Sequence, residues 1–161
     1  MFKHRFLAVS RHRSGGFTLV ELMVTLVVLA IALGIGVPGF RDFIEGQKVK
    51  TAAFDLSSAL MVSRSEAIKR NADVTLAPKT GGWTAGWTVK SGTTTLLEQA
   101  AIPGINFDDS SPTSLVFHST GRRPTITGGP DFEISAGTRY YRCIKFKLDG
   151  TFSTTPKECE P

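Results

Sequence analysis

An apolar run near the N-terminus constrains this chain more than any other feature. Residues 17–37 read FTLVELMVTLVVLAIALGIGV, and Glu21 is the only charged residue among them. As an α-helix the run would be about 31 Å long, which matches the hydrocarbon thickness of a bilayer. We therefore expect a helix that spans a membrane once and precedes the rest of the chain.

The positive charge of the chain lies mostly before this run. The net charge is +5, and residues 1–16 contain no acidic residue but four basic ones, Lys3, Arg5, Arg11 and Arg13. Without those four, 15 basic residues remain against 14 acidic ones, a net charge of +1. Basic segments beside a membrane helix stay in the cytoplasm. The part after residue 37 should therefore cross to the periplasm or the cell exterior.

Two other classes of N-terminal segment share this composition. A secretory signal would have a shorter apolar region and small residues at its cleavage site. Here the apolar run is longer, and PGFR follows it at residues 38–41. A plain membrane anchor is the other alternative, and composition alone does not exclude it.

Glu21 is unusual for a residue in an apolar helix. A charged side chain at the centre of a membrane helix costs about 2.5–3.5 kcal/mol on insertion scales. Glu21 lies about one turn into the run, where the cost is smaller and its carboxylate can reach the membrane interface. Its carboxylate either extends to that interface or pairs with a positive group once the helix leaves the bilayer.

The two cysteines, Cys143 and Cys159, lie close to the C-terminus. Their spacing fits neither a zinc site nor a Cys-x-x-Cys redox motif. In an oxidising compartment a disulfide is the simplest interpretation, and it would stabilise the fold by about 3 kcal/mol. Two unpaired thiols in a reducing cytoplasm are the alternative.

The residues that open the apolar run form a specific pattern, GFTLVE at residues 16–21 after a basic leader. The pattern resembles the prepilin signal of type IV pilins and type II secretion pseudopilins. That resemblance implies a leader at residues 1–16, which a membrane peptidase removes by cutting between Gly16 and Phe17. It also implies N-methylation of Phe17 and pairing of Glu21 with the N-terminal amine of a neighbouring subunit during assembly.

Beyond the apolar run the periodicity becomes that of an amphipathic helix. The resemblance implies that Pro38 kinks the helix, as a proline inside a helix does. We predict that one helix continues to about Arg70, with Asn71 as its C-terminal cap. Residues 39–71 would form its amphipathic half. Its core-facing positions recur at helical spacing: Val49, Ala53, Leu56, Leu60, Ser63 and Ala67.

Residues 72–161 have the composition of a β-rich globular domain. Short β-type segments alternate with Gly, Pro, Asn, Asp and Ser clusters. They occupy residues 73–76, 87–89, 95–97, 115–117, 132–134 and 140–148. A long helix followed by strands alone predicts an α+β fold, in which the helix packs on a C-terminal antiparallel sheet.

Three further segments carry a narrower resemblance: SRSEAIKR at residues 63–70, VTL at 74–76 and GW at 86–87. They resemble the FimT/GspH branch of minor pilins and pseudopilins. That implies a structural subunit, not an enzyme, that needs no cofactor. It would first be held in the inner membrane with its C-terminal domain in the periplasm, and then assemble with other pilins near the tip of a type IV pilus. A type II secretion pseudopilin is the alternative.

The sequence offers no positive sign of catalysis. After residue 16 the only histidine is His118, and no nucleophile motif surrounds it. The glycine pairs lack the Lys-Ser/Thr of a phosphate-binding loop. We therefore predict neither a metal site nor a catalytic site.

Basic residues accumulate between residues 118 and 147 and suggest a second function. FimT-like pilins that bind DNA carry a Gly-Arg-x-Arg motif near the C-terminus, and here GRRP at residues 121–124 keeps only its first arginine. A solvated set of loop and strand charges is the alternative. The candidate DNA-binding residues are Arg122, Arg123, Arg139, Arg142, Lys145 and Lys147.

Overall fold

The computed structural model describes residues 16–159, except for the side chains of residues 35–38. The leader therefore lies outside the described residues, apart from Gly16. The contacts within the chain divide it into an N-terminal unit that ends at Gly39 and a C-terminal unit that begins at Phe40. Helix α1, Leu19–Arg70, contributes residues to both units.

The N-terminal unit consists of the first part of α1, which is exposed throughout its described residues. The helix begins after Thr18, which is the N-cap because its Oγ1 accepts a hydrogen bond from the N–H of Glu21, at 3.2 Å. By length and composition α1 is able to cross a membrane. The helix runs through Pro38, whose side chain is not described, so the kink stays a prediction.

In the C-terminal unit one face of α1 is buried, as its periodicity predicts. All six residues of the predicted stripe are buried, from Val49 to Ala67. Ser63 is the polar member, and its hydroxyl donates to the carbonyl oxygen of Ala59 at 2.7 Å. Because this local bond satisfies the hydroxyl, Ser63 needs no partner from the sheets.

The predicted cap at the end of α1 is also confirmed. Asn71 has a left-handed φ of 50°. Its N–H donates to the carbonyl of Ile68, and the N–H of Ala72 donates to the carbonyl of Ala67. These two bonds form a Schellman motif, which ends the helix and turns the chain into the first strand.

The described residues beyond α1 form nine strands in two antiparallel sheets. The first sheet has the order β3-β2-β1-β5-β6, and the second has the order β4-β7-β8-β9. The strands are β1 Val74–Lys79, β2 Gly82–Ser91, β3 Thr94–Ala100, β4 Asn106–Phe107, β5 Pro112–Phe117, β6 Thr125–Gly128, β7 Asp131–Ala136, β8 Tyr140–Phe146 and β9 Phe152–Thr155.

The α+β class is thus confirmed, and the structure adds detail that the sequence patterns lack. β4, β6 and β9 are not predicted, and the strands divide between two sheets instead of one. β2 is also longer than predicted, because Gly86 continues the strand with a φ of 99°. A Cβ on Gly86 would lie 2.2 Å from the carbonyl oxygen of Gln99 in β3, so only glycine fits this pairing.

One hydrophobic core joins α1 to both sheets. Its centre is aromatic: Trp83 packs edge-on against Phe132 with ring centroids 4.8 Å apart. Trp87, which is fully buried, lies beside Trp83 and Phe107. Because a single core includes all three layers, loss of the buried helix face should destabilise the whole C-terminal unit.

Leu56 and Phe54 provide a matched test of this dependence. Leu56 is fully buried on α1, whereas Phe54 is 71% exposed on the same helix. Leu56→Ala should lower the free energy of unfolding by about 2–5 kcal/mol, because it leaves a cavity in the core. Phe54→Ala should change it much less. Tryptophan fluorescence of the full chain in detergent, followed through a denaturant titration, would measure both. Equal losses would contradict the assignment of the buried face.

Candidate assembly, disulfide and cation sites

Glu21 is the third residue of α1 and lies in its first turn, three residues after the non-helical Thr18. In capping terms Thr18 is the N-cap and Glu21 is at position N3, which is the T-x-x-E spacing of a capping box. A carboxylate there is favoured by the positive end of the helix dipole. Phe17, at the predicted cut, is 79% exposed.

The role of Thr18 is not among the sequence predictions, although the T-x-x-E spacing is a signal for it. Its hydroxyl accepts from the N–H of Glu21, and its carbonyl accepts from the N–H of Leu22 at 3.1 Å. The start of the helix is therefore fixed immediately after the predicted cut. Within residues 16–159 no ion pair involves Glu21, so its carboxylate is available to a partner.

A disulfide joins Cys143 and Cys159, with their Cα atoms 5.1 Å apart. Cys143 is fully buried in β8, opposite Glu133 of β7. The carboxylate of Glu133 accepts a hydrogen bond from the N–H of Cys159 at 2.7 Å. The segment after β9 is therefore attached to both residues of this cross-strand pair, to Cys143 by the disulfide and to Glu133 by the hydrogen bond.

The six candidate DNA-binding residues do not all lie together. The guanidinium of Arg139, in the β7–β8 turn, lies 3.2 Å from the carboxylate of Asp42, near the start of the C-terminal unit. Arg122 and Arg123 lie instead beside Gly150, which accepts a hydrogen bond from Arg64. Asp42 and Arg64 are separated by about 33 Å along α1.

Strand geometry separates two more of the six. Successive side chains of a strand point to opposite faces of its sheet, so Arg142 and Lys145 lie on different faces of β8. Arg142 is on the face directed at α1, where it lines a groove together with Lys50. Lys145 is opposite Asp131 in the β7–β8 pairing. Arg142 and Lys145 are therefore close in sequence but not together in space.

Four cations do lie close together around the β8–β9 turn. We call them the Gly150 surface: Arg64, Arg122, Arg123 and Lys147. Arg64 donates to the carbonyl oxygen of Gly150 at 3.1 Å. A Cβ on Gly150, whose φ is 80°, would lie 2.6 Å from the backbone nitrogen of Arg123. The absence of a side chain there lets the two loops pack, and the side chains of Arg122 and Arg123 are exposed.

One carboxylate accompanies these cations. The Thr151 hydroxyl and then the Thr151 N–H donate to Asp149, at 2.7 and 2.8 Å, and lower the pKa of that carboxyl. The nearby charges of Lys147 and Arg64 lower it further. Asp149 therefore stays charged at neutral pH and offsets part of the positive charge.

His118 bonds through both ring nitrogens, which the sequence did not predict. Nδ1 lies 2.8 Å from Asp73 Oδ1 and Nε2 lies 3.0 Å from Thr125 Oγ1. The three residues connect the segment after α1 to the β5–β6 hairpin. In the described part of the chain no group of three or more His, Cys, Asp and Glu residues is placed to hold a metal.

Comparisons with known proteins decide the family. Residues 52–150 match the family model described as Type II transport protein GspH, and residues 11–37 match the Prokaryotic N-terminal methylation motif. The chain belongs to the GspH family. This confirms the resemblance drawn from residues 16–21 and 63–87. No curated protein matches the chain.

Two solved structures share the fold of this GspH-family protein. The type IV minor pilin FimU of Pseudomonas aeruginosa is 21% identical with a TM-score of 0.57, over 71% of this chain and 92% of FimU. The minor pseudopilin EpsH of the Vibrio cholerae type II secretion system is 16% identical with a TM-score of 0.50, over 68% of this chain and 97% of EpsH. The architecture is therefore that of minor pilins and pseudopilins.

The disulfide should carry a measurable part of the stability. Cys143→Ser with Cys159→Ser removes the cross-link and should lower the free energy of unfolding by about 3 kcal/mol. It should also make the peptide bond after Lys157 easier for trypsin to cut, because the tail loses its attachment. Denaturant unfolding and timed proteolysis of the full chain in detergent would measure both. Unchanged stability and unchanged cleavage would show that the cross-link is not needed to hold the tail.

Proposed function

We propose that this chain is a minor-pilin-type structural subunit of a type IV pilus, placed near the tip of the filament. A prepilin peptidase would cut it after Gly16 and methylate Phe17. Residues 17–37 would hold it in the inner membrane as a single span, with the C-terminal unit in the periplasm, until it joins other pilins. The proposal needs neither a cofactor nor a catalytic residue.

The observation that carries this proposal is the exposed apolar part of α1, which lies within the match to the methylation motif at residues 11–37. Large apolar side chains cover this part, and their exposure ranges from 53% at Leu29 to 73% at Leu19. At about 25 cal/mol per Å², so much apolar surface is not stable in water. Lipid covers it in the membrane. Once the subunit leaves the membrane, helices of other subunits are the covering that a filament provides.

Glu21 would then act as the assembly residue. A lone carboxylate in an apolar helix bundle is costly unless it is paired. The methylated amine of a neighbouring Phe17 is a cation created by the predicted cut, so it would exist only in processed subunits. Pairing with it would favour mature subunits over unprocessed ones.

EpsH supports the alternative of a type II secretion pseudopilus, since it shares the same architecture. Both proposals require the cut after Gly16, the methylation of Phe17 and the pairing of Glu21. They differ in the filament that the subunit enters. Detection of the chain in sheared pili would support the pilus. Its absence there, with impaired protein secretion in a deletion strain, would support the pseudopilus.

Glu21→Ala should abolish incorporation while leaving cleavage after Gly16 and membrane insertion intact. The expected loss follows from removing the charge partner in the filament, which no other residue of the apolar part can supply. Immunoblots of sheared filaments and of washed membranes, with mass spectrometry of the N-terminus, would measure the three steps. Glu158→Ala, in the exposed tail, is the control, and Glu21→Asp should restore part of the incorporation. Normal incorporation of Glu21→Ala would refute the role of this carboxylate.

The Gly150 surface favours DNA as a second candidate function. Four cations lie around one turn together with the carboxylate of Asp149, and they form a local excess of positive charge. Lys and Arg side chains bind nucleic-acid phosphates, and each neutralised phosphate adds to the salt dependence of binding. We infer that Arg122 and Arg123, which are exposed, would make these contacts, whereas Arg139 at the other end of the unit would not.

A charge-matched pair of double variants tests this surface. Arg122→Ala with Arg123→Ala should weaken DNA binding and reduce the slope of log K against log salt by about 2. Lys48→Ala with Lys50→Ala removes the same charge from α1 elsewhere in the unit and should change the slope little. Fluorescence anisotropy of labelled duplex DNA with the full chain in detergent would measure both. Equal effects of the two variants, or no binding by the unaltered chain, would exclude this surface as a DNA site.

A further inference from the structure

An apolar surface lies at the end of the C-terminal unit where the chain enters it. Phe40, Phe43 and Ile44 of α1 are 65%, 58% and 37% exposed. Helical spacing places all three on one side of α1. Ile102, in the loop between β3 and β4, lines a groove of about 270 Å³ together with Phe43 and Ile44. We call these four residues the entry surface.

The β3–β4 loop extends this surface because it is apolar, whereas loops at a protein surface are usually polar. Residues 100–105 read AAIPGI and contain no polar side chain, and Pro103 among them is exposed. The loop also lies close against α1, since a Cβ on Gly104 would be 3.2 Å from the Nζ of Lys48. Loop and helix therefore present apolar side chains side by side.

The fold of the C-terminal unit does not cover the entry surface. An α-helix turns by about 100° per residue, so Phe40 and Ile44 lie opposite Val49 and Leu56, which are buried in the core. Single exposed apolar residues are ordinary, but several together mark a site of interaction. The covering of this surface must therefore come from outside the unit.

The covalent chain ties this surface to the proposed membrane span. Phe40 is three residues and Phe43 six residues beyond the apolar run, which ends at residue 37. A chain extends by at most about 3.6 Å per residue, so the two lie within about 11 Å and about 22 Å of that end in any conformation. The headgroup region of one leaflet is about 5–7 Å thick. No other part of the unit is closer along the chain to lipid headgroups.

Two cations flank the entry surface. Arg41 and Lys48 are exposed, and they lie three residues before and four residues after Ile44, so the three follow one line along α1. Within residues 16–159 neither cation takes part in an ion pair. Both side chains are therefore available to an anionic group next to the apolar residues.

The acids of the same helix segment lie on the opposite side of α1. Asp42 is paired with Arg139 in the β7–β8 turn, at 3.2 Å. Glu45 faces the same turn, since a Cβ on Gly137 would lie 3.1 Å from its Oε2. The charges directly beside the entry surface are therefore positive, although the segment also contains two acids.

We propose that the entry surface lies in the headgroup region of the bilayer while the subunit is anchored, with Arg41 and Lys48 at lipid phosphates. The inference rests on the proposed function, because it requires the membrane span. Helices at a membrane interface bury Phe and Leu side chains to about 5–10 Å and carry Lys and Arg on their polar face. The long stems of Arg41 and Lys48 would let their charges reach the phosphates. The contact would hold the C-terminal unit against the membrane and would break when the subunit enters a filament.

Quenching by labelled lipid headgroups tests this contact. The full chain, with a fluorescent amino acid in place of Pro103, is placed at one copy per nanodisc of phosphatidylcholine and phosphatidylglycerol. A fraction of the headgroups carries a quencher. The control label replaces Thr93, which is exposed in the β2–β3 turn at the other end of β3, about 23 Å away. The label at position 103 should be quenched severalfold more strongly than the label at position 93.

Matched variants separate the apolar and the charged contributions. Phe43→Ser with Ile44→Ser should lower quenching at position 103 to the level at position 93. Phe54→Ser with Met61→Ser removes exposed apolar residues farther along α1 and should leave the quenching unchanged. Arg41→Gln with Lys48→Gln should lower it in the mixed discs and not in discs of phosphatidylcholine alone, because only the first carry a net negative charge.

Three results would overturn the proposal. Equal quenching at positions 103 and 93, or no effect of Phe43→Ser with Ile44→Ser, would show that this surface does not lie on lipid. Shielding of position 103 from a soluble quencher only in discs with two copies would assign the surface to a second copy. In each case a chain that resists alkaline extraction remains anchored, so the proposed function stands, whereas loss of anchoring would remove both. An intact disulfide in each variant is the control for folding.

Discussion

The burial of one face of α1 against both sheets is the interaction on which the C-terminal unit depends. Leu56 and Leu60 are fully buried on that face, in the same core as Trp87 and Phe132. The second sheet is too small to bury its apolar face alone, because it has only four strands and one of them is two residues long. Because this face of α1 packs against the sheets, the opposite face of α1 points away from the core. That is why Phe54 and Met61, which the core excludes, are exposed.

The sequence predicts the helical part of this structure well and the sheets less well. The periodicity from Val49 to Ala67 and the cap at Asn71 are local signals, and local geometry is sufficient to produce both. β4 and β9 are different, because a strand of two or four residues carries little periodicity. β4 exists through its pairing with β7, which is distant in sequence. β9 pairs with the adjacent β8, but the pattern within four residues is too short to record that pairing.

The candidate sites show the same division between local and long-range information. The signals at Gly16 and Glu21 lie within one short segment, so the sequence alone points to them. For the basic residues, closeness in sequence does not predict which of them lie together in the fold. Arg139 and Arg142 are close in sequence, yet one pairs with Asp42 and the other lines a groove. Arg64 comes from α1 and still joins the surface around Gly150, through a hydrogen bond to a turn 86 residues away.

The disulfide also affects the groove between α1 and β9. β9 forms one wall of that groove, and it is held by β8 on one side only. The chain that leaves β9 is fixed a few residues later, where Cys159 is joined to Cys143 and donates to Glu133. A short edge strand with a free following segment would fray, because few backbone bonds hold it. The cross-link therefore steadies the strand that carries Phe152, and oxidation becomes part of what gives the groove its shape.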